Sequence, residues 1–144
     1  MTPKVKITTT QQNGRTHASS GSPWEGTIGY SRALRVRDQI FVTGTVGVEA
    51  DGSYAPSLAA QSRRAFTIIT AALEALGGKP ADVVRTRVYV TDISKWKEVG
   101  EVHGELFGET RPAMTMVQVA ALIDAKALVE IEVDAIVAEE ERYA

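Results

Sequence analysis

Three carboxylates, Glu130, Glu132 and Asp134, alternate along one apolar run near the C-terminus, and two arginines, Arg85 and Arg87, alternate along another. On extended strands, side chains two apart share a face, so each set projects from one side of its strand. Carboxylates facing guanidinium groups form cross-strand ion pairs, and Glu130 with Arg85 or Arg87 is one such pairing. A carboxylate left unpaired there would instead be free to take up or orient a proton. The two histidines, His17 and His103, lie far apart in the chain, which leaves no ligand spacing for a metal, and none is expected. The absence of cysteine excludes thiolate nucleophiles, disulfides and cysteine-ligated zinc or iron–sulfur centres. No G-x-G-x-x-G, G-x-x-x-x-G-K-[ST] or G-x-S-x-G pattern occurs, so nucleotide-binding and serine-hydrolase readings lack support and no cofactor is expected.

The chain around these residues has 144 positions, which fits one continuous core. With 44% hydrophobic and 24% charged residues its composition is that of a globular domain. A net charge of -2 supplies no basic field of the kind that dominates nucleic-acid affinity, so nucleic acid is a disfavoured partner. No apolar stretch approaches the ~20 residues a membrane helix needs, and the polar start has no signal-like apolar run. A cytoplasmic location without membrane contact is expected.

Residues 1–22, rich in Ser, Thr, Gln and Gly, read as a flexible lead-in dispensable for folding, and residues 23–144 as the single domain. Apolar runs at Ala33–Val36 and Ile40–Thr43 around polar Arg37-Asp38-Gln39 have the grammar of a hairpin. Between Leu58 and Leu76, the spacing of Phe66, Ile69, Leu73 and Leu76 predicts a helix that starts at Ser57 and stops at Gly77-Gly78, with Arg63 and Arg64 off the stripe. Val83–Thr91 alternates as a strand, with Val84, Thr86, Val88 and Val90 on one face. Trp96, Val99, Val102, His103 and Leu106 mark a second helix over Lys95–Phe107, capped by Ser94, and strands are expected at Ala113–Ala120 and Leu128–Val137. The expected order is ββαβαββ, an α/β (α+β) domain with two helices on one face of a mixed sheet. The polar opposite face would then lie at or near subunit boundaries of an oligomer.

Gly29-Tyr30-Ser31-Arg32-Ala33 is similar to the Gly-Pro-Tyr-Ser opening of the RidA/YjgF (endoribonuclease L-PSP) family, without its proline. Phe41-Val42-Thr43-Gly44-Thr45 resembles that family's Ser-Gly-Gln strand end, and Val83–Asp92 resembles its middle strand. Arg111-Pro112-Ala113-Met114-Thr115 and Leu128-Val129-Glu130-Ile131-Glu132 resemble its Pro-Ala-Arg-Ser/Thr and Val-Glu-Ile-Glu signatures. The resemblance spans Gly29 to Val137. It implies a chorismate-mutase-like fold, a homotrimeric barrel and a small-molecule cleft between subunits. Members with the full motif hydrolyse enamines and imines to 2-keto acids and ammonia.

Carried over residue by residue, the resemblance makes Glu130 the catalytic candidate, positioning water against C=N. Tyr30 and Thr43 become orienting donors, and Met114 lines the substrate pocket where the family has arginine. A thioether cannot replace the two-pronged guanidinium, so activity on free 2-imino acids is in question unless another cation such as Arg111 reaches the cleft. Glu132 and Asp134 are taken as structural charge, His103 as a packed residue and His17 as chemically idle. The expected function is a cleft for a small carbonyl, enamine or imine metabolite. The alternatives are binding of that metabolite without turnover, or the endoribonuclease and translation-inhibitor role attached to some relatives.

Overall fold

Along Val129–Ile136 every second residue is sealed from solvent, with Val129, Ile131 and Val133 at 0% exposure and Ala135 at 1%. One face of this strand therefore turns wholly inward. A computed structural model describes residues 5–138. Its strands are β1 (Thr8–Gln12), β2 (Arg15–Ser19), β3 (Ala33–Val36), β4 (Gln39–Val46), β5 (Val83–Val90), β6 (Ala113–Gln118) and β7 (Val129–Ile136). Two helices, α1 (Leu58–Ala75) and α2 (Trp96–Phe107), bridge β4 to β5 and β5 to β6. All seven strands form one sheet in the order β1-β2-β3-β4-β7-β5-β6, in which β5 and β6 are parallel and the other pairs antiparallel.

The helices cover one sheet face, where Phe66, Ile69 and Leu73 of α1 and Val99, Val102 and Phe107 of α2 meet Ile40, Val42, Val88 and Ile131. Each fully buried Leu, Ile, Val or Phe contributes roughly 1.5–3 kcal/mol, so this layer dominates stability. Ser57 caps α1 by accepting from the Ala60 amide at 3.1 Å. A Cβ on Gly47 would lie 2.2 Å from the Gln61 carbonyl, so glycine is what lets α1 seat against β4.

The expected ββαβαββ order is present from Ala33 onward, and four local features differ from the sequence reading. The lead-in forms the β1–β2 hairpin over Thr8–Ser19, paired to β3 through Thr16↔Arg35, His17↔Leu34 and Ala18↔Ala33. Its turn is Asn13-Gly14, with φ of 54° and 73°, the left-handed pair that a two-residue hairpin turn requires. Val84 does not share the inner face of β5. A register shift between Val83 and Arg85 turns it out to 42% exposure while Val83 goes in. Asp92, rather than Ser94, accepts the capping bond at the start of the turn leading into α2, from the Ser94 amide at 3.0 Å. Arg64 is buried beneath the Val48 carbonyl, to which its Nε donates at 2.9 Å.

Candidate functional site

The β4–β7 ladder breaks its register between Val42↔Val133 and Thr45↔Ile131, so Thr43 and Gly44 form a bulge. Such an extra residue re-aims the side chains beside it. Glu130, opposite Val46, lays its carboxylate over this bulge, and a Cβ on Gly44 would stand 2.7 Å from Oε2. Arg32, at the entry to β3, also reaches the bulge. Nη1 donates to the Gly44 carbonyl at 2.8 Å and to Thr45 Oγ1 at 3.1 Å, and Nη2 donates to the Tyr30 hydroxyl at 3.4 Å. The guanidinium also lies 5.6 Å from the Tyr30 ring centre, a cation–π contact.

Burial pushes the half-buried Glu130 carboxyl above the ordinary glutamate range, the Arg32 charge draws it back in part, and Glu132 adds to the rise. Among the described residues its carboxylate has no hydrogen-bond or ion-pair partner. The cross-strand pairing open to it is taken up elsewhere. Arg87 pairs with Asp134 at 3.2 Å and Glu132 at 3.7 Å, and the Tyr89 hydroxyl donates to Glu132 at 2.7 Å. Glu130 is thus an unspent base beside a buried cation, an arrangement able to orient and deprotonate a water. Tyr54 borders it, its phenol raised by burial first and then by the Asp124 and Glu130 charges.

The remaining candidates do not all converge on this point. Tyr30 joins Arg32, half-exposed at the edge of the site. Thr43 lies at the bulge, but its hydroxyl donates to the Ser31 carbonyl at 2.7 Å, so its proton is already used within the fold. Met114 pairs with Thr86, which in turn pairs with Val133, whereas Glu130 pairs with Tyr89. Thr86 and Tyr89 are an odd number of residues apart in a regular stretch, so Met114 and Glu130 project from opposite faces of one sheet. Arg111 is an exposed residue at φ 53° in the turn before β6, its amide bound to the Phe107 carbonyl. His103 packs between Phe66 and Phe107 and shares a 2.8 Å hydrogen bond with Thr86, and burial lowers its pKa. Among the described residues no cluster of three or more His, Asp or Glu stands close enough to hold a metal ion. A groove of about 930 Å³ along α1 and α2, lined by Ile7, Phe66, Thr70 and Val102, shares no residue with the Glu130 site.

The sequence does not mark Arg32 or Tyr54 as a site residue. Arg32 lies inside the Gly29–Ala33 motif, directly before a residue that is 1% exposed, and a charge in that position of a strand entry was the available signal. Tyr54 sits in a loop and carried none.

The endoribonuclease L-PSP family profile matches residues 23–137. An uncharacterized protein of Streptomyces coelicolor is 36% identical over 117 residues, 81% of this chain and 87% of that protein. The bovine 2-iminobutanoate/2-iminopropanoate deaminase is 34% identical over 95 residues, 65% of this chain and 69% of that protein. Among solved structures, a YjgF-family protein of Mycobacterium tuberculosis superposes with a TM-score of 0.80 at 51% identity, covering 85% of this chain and 99% of that one. RidA of the Antarctic bacterium Psychrobacter superposes with a TM-score of 0.72 at 34% identity, covering 76% and 89%. With most of its length matched in sequence and in fold, the chain belongs to the RidA/YjgF (endoribonuclease L-PSP) family.

Proposed function

We propose that the protein hydrolyses the C=N bond of a small enamine or imine, with Glu130 as the base that activates water. The observation that carries this reading is the Glu130 carboxylate itself: unpaired, half-buried, and held over Gly44 beside a cation. Water attacks the imine carbon as Glu130 takes a proton from it and the C=N electron pair moves to nitrogen; Glu130 returns that proton to the nitrogen, and the carbinolamine expels ammonia as its hydroxyl proton passes to the leaving nitrogen and C=O forms. Relatives named as 2-iminobutanoate/2-iminopropanoate deaminases support the reaction class. Met114 brings no charge to a substrate carboxylate, so that residue alone would hold a free 2-imino acid poorly.

A homotrimer is part of the proposal. The Glu130 side of the sheet carries Phe41 at 42% exposure together with charged residues, and within one chain Met114 lies on the other face. A cleft containing both would draw them from two chains. Sedimentation at micromolar concentration should give three times the chain mass, and a monomer would refute the assembly. The RNA-cleaving reading gains little, because Arg87 on the same sheet face as Glu130 is already paired with Glu132 and Asp134. The test of function is ammonia release from 2-iminopropanoate generated in situ. Turnover that Glu130→Gln lowers by about 10²–10⁴-fold is expected, whereas no turnover in the wild type would overturn the hydrolytic reading.

A further inference from the structure

Arg32 is 7% exposed, yet no carboxylate stands within ion-pair distance of it among the described residues. A buried charge is costly to leave unpaired. Glu25, whose charge it feels, is committed through Oε2 to the Ser20 amide at 3.2 Å, the Ser20 hydroxyl at 2.8 Å and the Ser22 amide at 3.3 Å. Nη1 is committed to Gly44 and Thr45. What remains is the Nε–Nη2 edge, the side of a guanidinium that a carboxylate takes with two parallel bonds. On that edge Nε is buried with no partner at all, and Nη2 has only the long 3.4 Å bond to Tyr30.

We infer that Arg32 is the anion-holding residue of the cleft, its Nε–Nη2 edge receiving the carboxylate of the ligand while Tyr30 moves aside. This rests on the reading of the Glu130 cleft as a site for a C=N or C=O compound, and it narrows that class to compounds bearing a carboxylate next to the reacting carbon. The spacing suits them. Arg32 donates to the Gly44 carbonyl, Glu130 lies over the same glycine, and the Arg32 charge acts on the Glu130 carboxyl, so cation and base meet at one residue of the bulge. A 2-imino acid, or its 2-keto product, is then anchored without help from position 114.

Calorimetric titration with pyruvate and with its neutral amide, pyruvamide, tests this on the intact protein. The wild type should bind pyruvate about tenfold or more tightly than pyruvamide, and Arg32→Gln should abolish that preference. Arg32→Lys, which keeps the charge and loses the fork, should retain part of it. Should the glutamine variant fail to fold, the assigned Arg32 Nε–H resonance of the wild type gives the answer: it should shift with pyruvate and stay in place with pyruvamide. A carboxylate preference that survives in folded Arg32→Gln, or an Nε–H signal indifferent to pyruvate, overturns the inference. Equal binding of the two compounds overturns it too, while Glu130-dependent imine hydrolysis would still stand. Binding of neither, with no hydrolysis, would remove both.

Discussion

Glu130 Oε2 stands 2.7 Å from the point a Cβ on Gly44 would occupy, so the carboxylate fills space that only glycine leaves open. Gly44→Ala must push the carboxylate off the bulge. Because the obstructing group is the end of a flexible side chain, stability should change by no more than about 1 kcal/mol. Imine hydrolysis should fall by about tenfold or more, since a misplacement near 1 Å loses orientation. Thermal melting and turnover on one preparation check this, and unchanged turnover would detach the bulge from the chemistry.

Met114→Arg should fold normally. Met114 is 37% exposed on the edge strand β6, so a guanidinium there can reach water, and the expected stability change is within about 1 kcal/mol. Its side chain projects from the face opposite Glu130, so any gain in hydrolysis must come from a neighbouring chain. Activity per chain should therefore rise only at concentrations where the protein is associated. A gain that persists in the monomer would contradict the assignment of faces.

His103 is held neutral by burial, with its pKa lowered. Between that lowered value and the ordinary one near 6.5, the unfolded chain binds more protons than the folded one. The stability linked to His103 is thus present in full above about pH 6.5 and is lost as pH falls through the folded value. Glu130, whose pKa is raised, works in the opposite sense, so the His103 contribution is isolated by comparison. The denaturation midpoint of the wild type should drop more between pH 7.5 and pH 5.5 than that of His103→Gln. Parallel pH dependence in the two would show that His103 does not titrate on unfolding.

A chain starting at Gly21 should melt lower than the full chain, contrary to what the polar composition of residues 1–22 suggests. Ala18 is fully buried, its carbonyl accepts from the Arg32 amide at 2.8 Å, and His17 shares a 2.8 Å hydrogen bond with Ser31. Removing β2 leaves β3 as an open edge next to the site. A fall of roughly 5 °C or more is expected, at about 3 °C per kcal/mol for a chain of this size. Equal melting temperatures would show the hairpin to be an ornament on the sheet.

The parts of the fold legible in the sequence were those whose own residues bury a stripe. The Phe66, Ile69, Leu73 stripe of α1 and the alternation of Val129, Ile131 and Val133 each predict an element and its inward face. The hairpin is masked in the sequence because its strands are polar, although Asn13-Gly14 is itself a strong turn signal. Alternation alone puts Val84 on the inner face, and the structure turns it outward because a register shift is a property of two strands together. Of the candidate site, Glu130 is marked by its motif. Arg32 is not, because an arginine at a strand entry reads as surface until the Gly44 bulge and Tyr30 enclose it. The separation of Met114 from Glu130 depends on counting faces through β5, which no local pattern contains.

The pH profile of kcat/KM for imine hydrolysis tests most directly the claim that Glu130 is the base. Burial raises its pKa and the base works ionised, so activity should fall toward acid with a midpoint above the ordinary glutamate value. That acid limb should disappear in Glu130→Gln together with most of the rate. An acid limb at the same pH in Glu130→Gln, or a rate the substitution leaves intact, would contradict the account.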